Sequence, residues 1–312
     1  MNKSSINIMS YLNHIFSKTG FFWVAYYLIR LLHIDRLVSD RVYLSLQYTC
    51  FFGKKPNLKN PITYNEKLLW IKLFDRRELY TTLVDKYAVK EYVAEKIGAE
   101  YVIPLIGVWD SVDEIDFNSL PQQFVLKTTS SGGSTGVIIC KDKNQFDFEA
   151  AKYKLKASLK EDYYLLSREW PYKNVPHRII AEEYKEDEFG ELRDYKFFCF
   201  DGKVKAMFIA TERSHGDVKF DYYDEDFNHL DLQQVHPMSS TIIEKPQQFE
   251  LMKTIASQLS CGIPQARVDL YCACGKVYFG EITLFHHGGL IPFYPEKWDE
   301  VFGSWIHLPV IQ

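Results

Sequence analysis

Apolar positions recur with a helical period through the first hundred residues and with a strand period afterwards. Residues 21–29 (FFWVAYYLI) are an unbroken apolar and aromatic run that Arg30 ends, and residues 1–60 read as helices closed by Gly53 and the Lys54-Lys55-Pro56 turn. Thr63 followed three residues later by Glu66 has the capping-box spacing, so a helix opens there, with Leu68, Leu69, Ile71 and Leu73 as its apolar positions. Residues 84–97 (VDKYAVKEYVAEKI) place apolar side chains at 84, 87, 88, 92, 93 and 97, which predicts a helix stopped by Gly98.

From residue 101 the period shortens. Residues 101–109 read as a strand carrying an edge proline, and residues 124–127 (FVLK) and 137–140 (VIIC) as two strands joined by a polar Gly/Ser/Thr loop. Residues 146–166 return to helix, and residues 178–184 (RIIAEEY) form a strand ending in acids. Residues 194–200 pair with 204–209 across Asp201-Gly202. A helix over 246–260 precedes a last hairpin, 266–271 with 277–284, turned beside Gly275. The expected class is α+β with mostly antiparallel sheets.

Composition narrows the function. The 312 residues carry 37 Lys and Arg against 41 Asp and Glu, a net charge of −4, which argues against a nucleic-acid binder. Six cysteines, at 50, 140, 199, 261, 272 and 274, lack the ligand spacing of a zinc site; buried free thiols are the expectation for the first four, in a cytosolic setting. The run 21–29 is too short for a bilayer span, which takes about twenty residues, and no small-residue cleavage site marks a signal peptide. Lys18, Arg30, Arg36 and Arg41 flank it. It is either a helix lying peripherally on the inner membrane's cytoplasmic face or one packed on the protein's own body, and the missing polar face favours packing. Aromatic residues reach 16%, with 22 Phe, 21 Tyr and 6 Trp, and such an excess serves packing, sugar stacking or an interface equally well.

Three features carry chemistry. Lys127 ends a strand immediately before TTSSGGSTG (128–136), where Ser131, Gly132, Gly133 and Ser134 would let backbone N–H groups approach phosphate oxygens. This is not the Walker pattern, since no G-K-[ST] closes the loop. Arg267 and Asp269 share one strand face, as do Glu281 and Thr283; if the faces coincide, two carboxylates and a hydroxyl meet beside an arginine, a hard-oxygen set suited to Mg²⁺ with bound phosphate. Glu182 and Glu183, followed by Glu186 and Asp187, close a strand where an adenine amino group and ribose hydroxyls could be received, or form a surface acidic run.

Taken in order, these motifs resemble the ATP-grasp superfamily, and most closely its TupA-like branch of polysaccharide biosynthesis, over roughly residues 60–309. Further matches are Asp85-Lys86-Tyr87-Ala88-Val89-Lys90, Asp194-Tyr195-Lys196-Phe197-Phe198, and the strands around Arg267 and Glu281. The resemblance implies an ATP-grasp fold: a helical region over 1–60, a pre-grasp-like region over 61–115, a small lobe over 116–185 and a large lobe over 186–312. It implies ATP phosphates at Lys127 and Lys86, an adenine hinge at Glu182, Glu183 and Tyr184, ribose at Glu186 or Asp187, a nucleotide contact at Lys196, Mg²⁺ at Asp269, Glu281 and Thr283, and Arg267 at the acyl-phosphate transition state. Thr283 departs from the asparagine of most members. His286-His287-Gly288-Gly289 replaces a Pro-Gly turn, with histidines that touch the acceptor or, as favoured, simply fill the turn.

The implied activity is an ATP- and Mg²⁺-dependent carboxylate–amine ligase joining a uronate-type saccharide to an amine or amino acid in capsule or O-antigen synthesis. The alternatives are a glycosyltransferase or phosphotransferase of the same pathway class, and a non-catalytic binding module. Aromatic clusters at Tyr163-Tyr164, Trp170 with Tyr172, Phe220 with Tyr222-Tyr223, and Phe293-Tyr294 with Trp298 are expected to stack on the saccharide.

Overall fold

A computed structural model describes residues 20–310, apart from 134, 189, 191, 213–215, 217, 241 and 242. Residues 20–31 are helical (α1) and lie on a second helix, α2 (Asp40–Phe52). The Trp23 ring meets Phe51 edge-on at 4.9 Å, and Gln47 Nε2 donates to Tyr26 Oη at 3.1 Å. The packed reading of the aromatic run therefore holds for this face. Gly53 ends α2 at φ 68°, a left-handed conformation that suits glycine.

The capping box at Thr63 is formed, and it opens α3 (Tyr64–Phe74). The helix expected over 84–97 begins only at Ala88 (α5, Ala88–Ile97, stopped at Gly98), and a separate helix, α4 (Glu78–Val84), ends where it was expected to start. Asp85 separates them because its carboxylate accepts the N–H groups of Tyr87 and Ala88, capping the second. Tyr64, Leu68, Leu83 and Val93 bury themselves in the core of the second sheet, so α3, α4 and α5 pack onto it.

Two antiparallel sheets follow. The first runs β1-β4-β2-β3, with β1 (Leu105–Trp109), β2 (Phe124–Thr128), β3 (Val137–Cys140) and β4 (Ile179–Glu183). β1 is shorter than expected: residues 99–101 form a 3₁₀ turn, and the strand begins after Pro104. The helix expected over 146–166 breaks into α6 (Phe148–Lys160) and α7 (Tyr163–Ser167), because Asp162 caps a new start at the Leu165 N–H. The second sheet runs β7-β6-β5-β8-β9, with β5 (Asp194–Phe200), β6 (Lys203–Thr211), β7 (Lys219–Asp224), β8 (Ala266–Ala273) and β9 (Lys276–Thr283). Helix α8 (Phe249–Leu259) covers it, and α9 (Lys297–Trp305) packs on α3.

The aromatic excess is largely core. Phe220, Tyr222, Tyr223 and Phe293 are buried, with Tyr222 stacked on Phe208 at 5.0 Å and Tyr223 on Phe227 at 4.2 Å. The expectation of sugar stacking fails for these four, because burying such large apolar rings is worth more than exposing them. All six cysteines are free thiols; Cys261 is exposed just after α8 rather than buried. Among the described residues no helix is long and apolar enough to cross a membrane.

Candidate active site

The β8–β9 hairpin turns through Cys274 and Gly275, both at positive φ. Its register sets Arg267 opposite Thr283 and Asp269 opposite Glu281, so the two faces coincide. A bulge at Gly280 makes this register, and a side chain there would press on the Asp269 carbonyl at 2.9 Å.

Arg267 organises the cluster. Its Nε and Nη2 donate to Asp269 at 2.7 Å each, and Nη2 also donates to Thr283 Oγ1 at 3.0 Å and Glu281 Oε1 at 3.2 Å. Lys196, on the neighbouring β5, donates to Asp269 as well and pairs with Asp194 at 3.3 Å. Burial alone would weaken the Arg267 charge, but Asp269 and Glu281 outweigh it and raise its pKa. Burial likewise opposes the Asp269 carboxylate, and Arg267 and Lys196 hold its pKa below the usual range.

The fifth Arg267 contact was not legible in the sequence. Nη1 reaches His286 Nδ1 at 2.7 Å, and His286 Nε2 meets Gln234 Oε1 at 2.9 Å. A guanidinium only donates, so Nδ1 accepts and the proton sits on Nε2, donated to Gln234. Tyr222 Oη donates to the same Gln234 oxygen at 3.2 Å, and Gln234 Nε2 donates to the Ile291 carbonyl at 3.1 Å. His286 is buried, and burial with the adjacent His287 and Arg267 pushes its pKa well down, keeping it neutral. His286 thus does more than fill a turn: it orients the arginine. His287, at φ 47°, is held neutral too, pushed down to about 3 by burial and Arg267.

Strand β2, helix α5 and the turn before α5 supply the cations. Glu182 sits between two lysines: Oε2 meets Lys127 at 2.5 Å and Oε1 meets Lys90 at 2.5 Å. Burial would raise the Glu182 pKa, but Lys127 and Lys90 lower it overall. Its oxygens are thus engaged by lysines, whereas Glu183, Tyr184 and Asp187 turn to Lys185, Glu186 and Arg193 respectively. These three do not join the Arg267 cluster. In the glycine loop, Thr128 Oγ1 donates to Ser131 Oγ at 2.8 Å, and a Cβ on Gly132 would overlap the Tyr163 ring. Ser134 lies outside the described residues. Lys86 donates to the Ser131 carbonyl and lies within electrostatic reach of both Lys127 and Glu281; burial lowers its pKa while Glu281 opposes that. Its charge is thus felt from both sheets.

The oxygen donors of Asp269, Glu281 and Thr283 fit a hard cation such as Mg²⁺. Among the described residues no group of three or more His, Cys, Asp or Glu side chains is placed to hold a metal. Two carboxylates would therefore need phosphate oxygens to complete the shell. Asp269, buried and already accepting from Arg267 and Lys196, has less capacity left than the half-exposed Glu281.

A glycine loop with a strand-end lysine on one sheet, facing an Arg-x-Asp and Glu-x-Thr pair on the other, defines an ATP-grasp protein. The chain belongs to the TupA-like ATP-grasp family, whose model matches residues 66–307. No curated protein matches it. Among solved structures it is similar to the D-alanine-D-alanine ligase from Bacillus anthracis, at 19% identity over 65% of this chain and 57% of that one, with a TM-score of 0.37. The corresponding ligase from Helicobacter pylori shares 15% identity over 79% of this chain and 69% of that one, TM-score 0.40. The ATP-grasp ligase PsnB, complexed with a phosphomimetic variant of its minimal precursor, Mg and ADP, shares 10% over 66% and 50%, TM-score 0.34. The chain spans less than two thirds of the length of the first and third of these.

Proposed function

We propose that the protein is an ATP- and Mg²⁺-dependent carboxylate–amine ligase, forming an amide through an acyl phosphate on a cell-surface polysaccharide or its precursor. The observation that carries this reading is Lys86, which touches the glycine loop at Ser131 and lies within electrostatic reach of both Lys127 and Glu281. A polyphosphate there would meet the ammonium groups of Lys127 and Lys86 and, across a metal ion, the carboxylates of Asp269 and Glu281. Asp269, Glu281 and Thr283 would hold Mg²⁺, which supplies charge neutralisation on the phosphates when bound.

The substrate carboxylate oxygen would attack the γ-phosphorus and ADP would leave; the amine nitrogen would then attack the acyl carbon and phosphate would leave. Arg267, fixed by five contacts, would stabilise the charge that develops on the transferring group at no reorganisation cost. Lys127, Lys86 and the loop from Ser131 to Gly133 would position the phosphates, and Lys196 would hold Asp269. The uronate-type carboxylate and the amine or amino acid are the pair that the sequence resemblance implies.

Incubation with ATP, Mg²⁺, a uronate panel and amino acids should release ADP and yield an amide visible by mass spectrometry. Consumption of a sugar nucleotide with no use of ATP would overturn the reading.

A further inference from the structure

Helix α1 is apolar on two faces, and among the described residues only one packs against another element. Trp23 and Tyr26 turn to α2, while Phe21, Val24, Tyr27, Leu28 and Leu31 are exposed, Phe21 by 79% and Tyr27 by 66%. Their spacing of three, three, one and three residues forms a single stripe along the helix. Leu32 and Leu37, 61% and 86% exposed, continue the apolar surface beyond the helix. A stripe of this kind on a charged protein is unusual for a surface that stays in water.

The charges beside it have one sign. Between residues 20 and 42 the exposed ionic side chains are Arg30, Arg36 and Arg41. The two acids of this stretch are withdrawn: Asp35 is buried, and Asp40 is engaged by Arg76 at 2.8 Å and Arg168 at 3.5 Å. The protein as a whole is acidic, with a net charge of −4, so this local excess runs against the background.

We infer that α1 and the turn after it dock the protein on an anionic lipid surface, with the apolar stripe in the acyl–headgroup boundary and the arginines on the lipid phosphates. Apolar area and electrostatic attraction act together in such attachment, and aromatic rings suit the boundary. A second copy of the chain would match the apolar stripe but would bring its own three arginines with it, so charge disfavours that occupant. The attachment is independent of the ligase reading and places catalysis beside a lipid surface.

The test is co-sedimentation of the full chain with vesicles of phosphatidylcholine alone or with one third phosphatidylglycerol. The account expects at least about tenfold stronger partition onto the anionic vesicles, reversed by high salt because headgroup attraction is screened. Val24→Ser with Leu28→Ser, and separately Arg30→Gln with Arg36→Gln and Arg41→Gln, should each cut partition about tenfold or more. All these side chains are exposed, so circular dichroism and thermal melting should be unchanged. Equal partition on both vesicle types, or no loss in either variant, overturns the inference. So does a concentration-dependent dimer in sedimentation velocity that the Val24/Leu28 variant abolishes, which would assign the stripe to a second copy.

Discussion

Glu182 is the most exposed point of the electrostatic argument, because one carboxylate separates two lysines from different elements. Glu182→Gln keeps the shape of the side chain and removes its charge. Lys90 and Lys127 each lie 2.5 Å from a different oxygen of it, and at an effective dielectric of about 20 two like charges roughly 5–7 Å apart repel by about 3 kcal/mol. That agrees with the roughly 3–5 kcal/mol lost on breaking a buried pair. Differential scanning calorimetry should show Tm lower by about 6–12 °C, taking 2–4 °C per kcal/mol for a domain of this size. Metal-free ATP should then restore more stability to the variant than to the parent, because its phosphates replace the missing negative charge. Adding Lys90→Met should recover most of the loss. The sign with pH follows from a carboxyl held low by Lys127 and Lys90: its contribution is present above the unfolded value of about 4.3 and lost as pH falls through the folded one. A Tm within 2 °C of the parent, or equal rescue by ATP in both proteins, would refute the electrostatic pairing.

Arg267→Lys retains charge but cannot keep the fork to Asp269 or the contacts to Thr283 and His286, so kcat should fall about 100-fold with the KM for ATP changed far less; steady-state kinetics separates the two. His286 and His287 fold as neutral imidazoles, so stability should fall as pH drops below about 6.5, where the unfolded chain takes up protons that the native one refuses, at up to about 1.4 kcal/mol per pH unit for each group. Urea titrations from pH 7.5 to 5.0 should show that slope, and His287→Asn should reduce it; a flat profile contradicts buried neutral imidazoles. Gly132→Ala should raise the KM for ATP about tenfold by displacing Tyr163 and the loop, and adding Tyr163→Ala should relieve part of that, whereas no change in either protein would show that the loop does not need this glycine.

Local signals carried much of this protein. The capping box at Thr63, the Asp201-Gly202 and Cys274-Gly275 turns and the alternation around Arg267 and Glu281 are written in neighbouring residues, and each appears in the structure. Register was open, since nothing in the strands announces that a bulge at Gly280 brings Glu281 opposite Asp269. β7 was read only as an aromatic cluster, because its KFDYYD pattern offers a strand no clear polar face until Tyr222 and Tyr223 are known to pack on different neighbours. The Tyr222–Gln234–His286–Arg267 chain joins four segments with no motif of its own. Helix boundaries at Asp85 and Asp162 depended on a side chain choosing to cap, a competition that hydrophobic period does not record.

The central claim is transfer of phosphate to a carboxylate between the two sheets. Its most direct measurement uses a uronate acceptor labelled with ¹⁸O in the carboxylate, incubated with the enzyme, ATP, Mg²⁺ and an amine, followed by mass spectrometry of the inorganic phosphate. The account predicts one ¹⁸O in each phosphate released alongside amide, and none with the Arg267→Lys variant beyond its residual turnover. Amide formed with unlabelled phosphate would contradict the acyl-phosphate route.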